Sequence, residues 1–519
     1  MLKTRLLGLA TSACLLIASA AFAQDTLVLT VDTDKTGPTI SRQIFGQFAE
    51  HLGRGIYEGV WVGPDSSIPN TRGIRNDVVA ALKELRVPNV RWPGGCFADE
   101  YHWRNGIGAE RPATLNPNWG GVIEPNTFGT HEFMDFVHQI GAEAYLSVNV
   151  GSGTPKEAAD WFEYLTTDQP TALAKERAAN GHPEPFGISF VGIGNENWGC
   201  GGSMTPDYYV SQLRIYARYT RNYNSKHPMK KIAVGPDTAD TGYTEAVMKA
   251  WKERNWSWDI DGLSLHYYTV GGWPAKYQAT GFGEEEYAKL LKETVRMEEL
   301  IRTHGAIMDK YDPEKKIALV VDEWGAWLAP TPGSKEGFLE QQNSQRDAII
   351  AALNINTFAR HADRVRMANI AQMVNVLQAM LLTDKEKLVK TPTYHVFKMY
   401  VPFQDATFVP IRLDSETYRN GDIELPRVDA IAAKDKEGKV WIAVANVDPK
   451  RAVRIRVASA DHKNVNLRGE TLVAPKIDSV NTFEAPNTVV PKPIAGKRAG
   501  SATTLELAPA SVTVVSFAP

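Results

Sequence analysis

The sequence predicts a (β/α)8 barrel joined to a C-terminal β-sandwich. From about Gln43 to Asn375, eight short apolar runs alternate with longer amphipathic ones, and after about Thr391 the pattern changes to two-residue periodicity. At 519 residues the chain is too long for one small domain and fits two domains, or one large barrel with an appendage.

The chain opens with Lys3 and Arg5, an apolar run from Leu6 to Ala20, and the small-x-small triplet Ala21-Phe22-Ala23. This is the pattern of a signal peptide with a mature start near Gln24, and it predicts export to the periplasm or the cell exterior. The apolar run is shorter than the ~20 residues that span a bilayer, and no later segment is apolar enough, so the mature form is expected to hold no membrane span. Next, Leu27, Leu29 and Val31 alternate as in a half-buried strand, which is expected to join the distant C-terminal sandwich.

The eight predicted strands are residues 44–49, 89–92, 144–150, 188–194, 232–235, 262–266, 317–321 and 367–371. Between them, 74–85 has apolar residues at helical spacing, 155–165 opens with a proline in its first turn, and 206–223 and 284–308 are long and charged on one side. In the C-terminal part, Val453, Ile455 and Val457 alternate with Arg454 and Arg456, and Val512 and Val514 repeat the theme. Lys434 to Gly438 reads as the turn of a hairpin between 428–433 and 440–447. The predicted division is residues 1–23 as signal peptide, 24–40 as the N-terminal strand, 41–390 as barrel and 391–519 as a jelly-roll-like sandwich. Twelve of the 13 tryptophans precede residue 328 and only Trp441 falls in the sandwich, so that domain is expected to be structural rather than sugar-binding.

Composition excludes some partners. With 43% apolar and 23% charged residues and a net charge of -3, nothing points to nucleic acid or an anionic membrane.

Two strand endings carry the chemistry. Ile188 to Gly194 runs into Asn195-Glu196, and Ile317 to Val321 runs into Asp322-Glu323-Trp324. In a barrel the carboxyl ends of strands gather at one mouth, so Glu196 after strand four and Glu323 after strand seven are expected to face one site. Paired carboxylates near indoles suit glycosidic bond cleavage, with one acid protonating the leaving oxygen and the other carboxylate attacking or supporting the sugar carbon. A metal hydrolase also uses paired acids, yet neither glutamate has tight histidine ligand spacing around it, and neither metal nor cofactor is expected. Glu50, Arg91, His266, Tyr268 and Gln372 end other predicted strands. Each alone is more often a satisfied core polar group than a ligand, but on one rim together they would form an unpaired polar cost unless a ligand met them.

Six ordered motifs together resemble glycoside hydrolase family 51, the α-L-arabinofuranosidases. They are Phe45 to Arg54, Arg91 to Asp99, Gly194-Asn195-Glu196, His266-Tyr267-Tyr268, Asp322-Glu323-Trp324 and Ala371 to Asn375, and the similarity covers essentially the whole mature chain. The resemblance implies a retaining, exo-acting hydrolase that releases terminal arabinofuranosyl groups from arabinoxylan, arabinan and arabino-oligosaccharides. Glu196 would be the general acid/base and Glu323 the nucleophile. Glu50, Arg91, Asn195, Tyr268 and Gln372 would surround the terminal sugar, with His266 near the nucleophile and Trp119 as an aromatic wall. Cys96 departs from members that carry Asn there, and a thiol is a weaker donor. Cys14 lies in the expected signal, and an oxidising compartment could join Cys96 to Cys200, in which case Cys96 shapes the pocket instead; two separate thiols are the alternative. Arabinose-containing plant polysaccharides are the implied partners, and a homo-oligomer is common among relatives, though no residue pattern here dictates one. The competing readings are a β-glucanase or β-xylosidase using the same two glutamates, and a non-catalytic carbohydrate-binding barrel.

Overall fold

The computed structural model describes residues 26–459, 465–499 and 502–518. Eight parallel strands close a barrel in chain order: Gly46–Phe48, Asn89–Trp92, Glu143–Val148, Phe190–Ile193, Lys230–Ala233, Gly262–Val270, Ala318–Trp327 and Val365–Ala371. The ring closes where Asn369 and Ala371 of the last strand pair with Gly46 and Phe48 of the first. These strands are buried on both faces, which is why they read as continuous apolar runs rather than alternations. Inside the barrel a small core of Tyr145, Phe190, Ile232, Ala318, Val320 and Met367 fills the lower layers. The larger apolar core lies between the strands and the surrounding helices.

Local sequence sets several helix starts. Thr154, Thr205 and Thr391 each precede a proline, and each hydroxyl accepts from a backbone N–H three residues on, so the helices Pro155–Thr166, Pro206–Tyr219 and Pro392–Met399 begin with a filled cap. The helix predicted over 284–308 runs as Glu284–Tyr311, with three glutamates in its first turn where they complement the helix dipole.

Strands six and seven differ from the expected short endings. They continue past the barrel as a two-stranded wall in which His266, Tyr267 and Tyr268 pair with Glu323, Trp324 and Gly325. Glu323 is therefore not a strand tip. It lies at an irregularity where pairing with the last barrel strand jumps from Val321 to Trp324. Strict alternation would send Asp322 and Glu323 to opposite faces, whereas at this bulge both carboxylates reach Arg91. Trp324, expected beside the site, instead packs against Phe358 and Phe397 in the helical layer.

The β-rich domain is a sandwich of a six-stranded and a five-stranded sheet. The strand Thr26–Val31 lies in the five-stranded sheet, parallel to Val453–Ser459 and antiparallel to Ile411–Leu413. Val453, Ile455 and Val457 are buried while Arg454 and Arg456 are exposed, as their alternation predicts. The last strand, Ser511–Phe517, departs from that alternation and is buried throughout. Val515 and Phe517 face the sandwich interior, while Val512 and Val514 join the barrel's core. The helix Gln345–Arg360 is buried along nearly its whole length for the related reason that it packs against barrel strands and the six-stranded sheet together.

Candidate active site

At the carboxyl ends of the barrel strands lies a cavity of about 860 Å³ lined by, among others, Glu50, Cys96, Trp119, Glu196, His266, Tyr268, Glu323 and Gln372. Arg91 is fully enclosed and organises its floor. Its guanidinium donates to Glu323 Oε1 at 2.8 Å and to Asn195 Oδ1 at 2.6 Å, and lies 3.5 Å from Asp322. The hydroxyl of Tyr268 donates to the other Glu323 oxygen at 2.9 Å. Both oxygens of Glu323 are thus held, and the carboxylate has one orientation.

Glu196 is reached by a turn that requires glycine. Gly194 has a φ of +98°, and a Cβ there would sit 2.1 Å from Asn197 Oδ1. Glu196 itself has a φ of +41°, a strained value for a residue with a side chain and one that surrounding contacts must hold. Asp99 supplies some of those contacts by accepting from the backbone N–H groups of Val150, Gly151 and Asn195. Burial pushes the Asp99 carboxyl up to about 7 despite these bonds.

His266 stands between three carboxylates. Its Nδ1 is 2.8 Å from Glu196 and 3.6 Å from Glu323, and its Nε2 is 3.2 Å from Asp322. Burial disfavours the imidazolium, but the charges of Glu323, Asp322 and Glu196 outweigh it and raise His266 to about 10. The resemblance implied a histidine near Glu323, and here its closer partner is Glu196. Burial and then the negative Glu323 raise the Glu196 carboxyl, while the His266 bond pulls it back down. A carboxylate oxygen of Glu196 and one of Glu323 lie within 4.8 Å of each other.

Glu50 closes the inner end. Its Oε1 accepts from the N–H groups of Gly95, Phe97 and the Trp119 indole, and its Oε2 accepts from Gln372. Burial and the Glu323 charge push it to about 7. The glycines of Pro93-Gly94-Gly95 are needed for close approach. A Cβ on Gly94 would meet Glu50 Cγ at 2.6 Å, and one on Gly95 would meet Glu323 Oε1 at 2.9 Å.

Cys96 and Cys200 are joined as a disulfide that ties the loop after strand two to the loop bearing Glu196. The Cys200 sulfur lies 3.6 Å from Glu196 Oε2, so Cys96 bounds the pocket as part of a bridge and offers no thiol. Glu196, His266 and Glu323 are close enough together to hold an ion, yet their chemistry disfavours it. A protonated His266 offers no lone pair, and Arg91 already occupies Glu323.

All ten residues singled out from the sequence line this cavity or, for Arg91 and Asn195, underlie it. Sequence reasoning gave no role to Asp99, Asp322 or Tyr145, whose hydroxyl donates to Asp322 at 2.6 Å. It also gave no role to Trp198, Trp273 and Trp327, which line the outer cavity.

A match to the model described as "Alpha-L-arabinofuranosidase 1 domain" spans residues 81–270, and one to "Alpha-L-arabinofuranosidase C-terminal domain" spans 322–511. The chain is 47% identical over 487 residues to a Bacteroides ovatus protein described as an intracellular exo-α-L-arabinofuranosidase, covering 93% of this chain and 94% of that one. The chain belongs to glycoside hydrolase family 51, the α-L-arabinofuranosidases. The crystal structure of the family 51 arabinofuranosidase from Xanthomonas axonopodis pv. citri superposes with a TM-score of 0.92 at 49% identity, covering 95% of this chain and 100% of that one. That of a Thermotoga maritima α-L-arabinofuranosidase, described as an arabinose complex, gives a TM-score of 0.83 at 30% identity over 95% and 100% of the two chains.

One expectation is corrected. The Bacteroides ovatus family member, similar over almost the full length, is described as intracellular, so the expected export to the periplasm or cell exterior does not stand. A basic start and an apolar run are a weak pattern on their own, and residues 1–23, which carry it, lie outside the described residues. Among the described residues no helix is long and apolar enough to cross a membrane.

Proposed function

We propose that this family 51 enzyme is an exo-acting, retaining hydrolase of terminal non-reducing α-L-arabinofuranosyl groups on arabinoxylan, arabinan and arabino-oligosaccharides. The observation that carries the reading is the approach of Glu196 and Glu323 oxygens to within 4.8 Å, which suits direct attack by one carboxylate rather than the ~6.5–9.5 Å gap that admits a water for inversion.

Glu323 is the nucleophile. Both its oxygens accept hydrogen bonds, from Arg91 and Tyr268, which aim it at the anomeric carbon. Glu196 begins protonated, because burial and the Glu323 charge favour the neutral acid, and it gives its proton to the leaving oxygen. Once Glu323 is esterified its negative charge is gone, and His266 then favours the Glu196 anion that activates water. Asn195, held beneath the cavity by Arg91, is the proposed partner of the sugar hydroxyl beside the reacting carbon, a contact that strengthens as positive charge develops. Glu50, Gln372 and Trp119 form the closed end that admits one terminal ring, and the exo action named for the Bacteroides ovatus relative supports this.

A panel of aryl glycosides tests the sugar, and NMR of the first-formed product tests the stereochemistry. Hydrolysis of the α-L-arabinofuranoside with the α-anomer formed first is expected. Preference for the β-D-xyloside or β-D-glucoside would move the reading to a xylosidase or glucanase, and initial β-arabinose would end the retaining assignment.

A further inference from the structure

The cavity is larger than one terminal pentose needs, and its outer end is built differently from its inner one. From Glu323 outward the rings of Tyr268, Trp327 and Trp273 follow edge to face, with centroids 5.0 Å and 4.9 Å apart. Trp273 is 64% exposed, a large indole left open to solvent at the mouth. Lining the same cavity is a stripe of the long helix Glu284–Tyr311, which contributes Lys289, Lys292, Glu293 and Arg296. Their spacing of three, four and seven residues puts them on one helix face.

The stripe has an excess of positive charge. Lys289 pairs at 2.5 Å with Glu285, one turn away and outside the cavity. Arg296 is only 3.9 Å from Glu293, a loose contact. No ion pair or hydrogen bond engages the Lys292 side chain among the described residues. Asp237 also lines the cavity, but its backbone pairs with that of His266, at the inner end. The helix wall therefore carries one cation without a carboxylate partner, Lys292, beside Lys289 paired with Glu285 and Arg296 loosely paired with Glu293, whereas at the inner end Arg91 and His266 are both held by carboxyls.

We propose that this outer wall is a leaving-group subsite for an acidic sugar, so that preferred substrates carry a uronic acid on the chain to which the arabinofuranosyl group is attached. This rests on the arabinofuranosidase reading above. The inner end leaves no cation free for a uronate, since Arg91 is committed to Glu323 and Asn195 and His266 to the carboxyls around it, so the scissile sugar is the neutral arabinofuranosyl group and the acidic one lies beyond the broken bond. There an exposed indole can stack on a sugar face while Lys292, Lys289 and Arg296 meet its carboxylate. Because the cations are exposed, their attraction is expected to be modest and screened by salt.

The experiment compares two substrates: an arabinofuranosyl-substituted oligosaccharide with a uronic acid next to the branched residue, and the same molecule with its carboxyl reduced to an alcohol. At about 10 mM salt the acidic substrate is expected to show about tenfold higher kcat/KM, falling toward parity at about 0.5 M salt. Lys292→Glu should invert the preference and Lys292→Gln should reduce it by about threefold. Equal kcat/KM for the pair with the unmodified enzyme at low salt, or a preference untouched by Lys292→Glu, overturns the subsite. Turnover of 4-nitrophenyl α-L-arabinofuranoside separates the two claims. If that substrate is cleaved, failure on the pair counts against the subsite alone; if it is not, the arabinofuranosidase reading falls and the subsite with it.

Discussion

His266 Nδ1 lies 2.8 Å from Glu196 Oε1, so an imidazole whose protonated form is favoured by the neighbouring Glu323 and Asp322 is bonded directly to the proposed acid/base. That bond favours the charged form of Glu196 against burial and against Glu323. Replacing His266 with Gln removes the cation, which raises the Glu196 carboxyl further. The basic limb of the kcat/KM profile, where the proton donor is lost, should then move to higher pH. A pH series on an aryl arabinofuranoside checks it, and a limb that stays or moves down contradicts the pairing.

The two proposed roles separate by leaving group. Glu196→Ala should lose about 10²–10⁴-fold on arabino-oligosaccharides, whose leaving oxygen needs a proton, and far less in the bond-breaking step for activated aryl substrates. Glu323→Ala should lose turnover on both. Normal cleavage of activated aryl arabinosides by Glu323→Ala contradicts the assignment.

Stability should carry the mark of two buried carboxyls. Glu50 and Asp99 are raised from 4.5 and 3.8 to about 7 chiefly by burial, so over that range the folded chain keeps protons that the unfolded chain releases. Their contribution therefore makes stability fall as pH rises from about 4 to 7. Glu50→Gln removes one such group. Apart from an offset constant with pH, the variant should gain on the parent over this interval, by on the order of 3 kcal/mol in all. Calorimetry of both proteins across the interval measures it, and a difference flat with pH contradicts the prediction.

The Cys96–Cys200 bridge links residues 104 apart in sequence and anchors the loop that carries Glu196. Cross-linking so long a loop restricts the unfolded chain, and its loss should cost about 2–4 kcal/mol. A Cys96→Ser, Cys200→Ser double variant should melt earlier and show lower kcat. An unchanged melting profile contradicts this.

The barrel was legible because its strands are apolar on both faces and end in chemistry. Ile188 to Gly194 leading into Asn195-Glu196 needs no tertiary information to be read as a strand bearing a carboxylate. Periodicity fails where a second layer intervenes: Val512 and Val514 alternate like the inward residues of a sandwich strand, yet they join the barrel's core while Val515 and Phe517 fill the sandwich, because the helix Gln345–Arg360 packs on the other face of their sheet. Trp324 misled because position beside Glu323 says nothing about direction once a bulge resets the alternation. Asp99 was invisible as an organiser because its partners are backbone N–H groups 51, 52 and 96 residues away. The cationic stripe of the long helix reads in sequence as an ordinary solvated face, and only the fold turns it toward the cavity.

The most direct test of the central claim is mass spectrometry of the Glu196→Ala variant quenched during turnover of an activated aryl α-L-arabinofuranoside. The account predicts one added arabinosyl unit on the peptide containing Glu323. An adduct on another carboxylate, or burst release of the aryl group with no adduct on the protein, would contradict it.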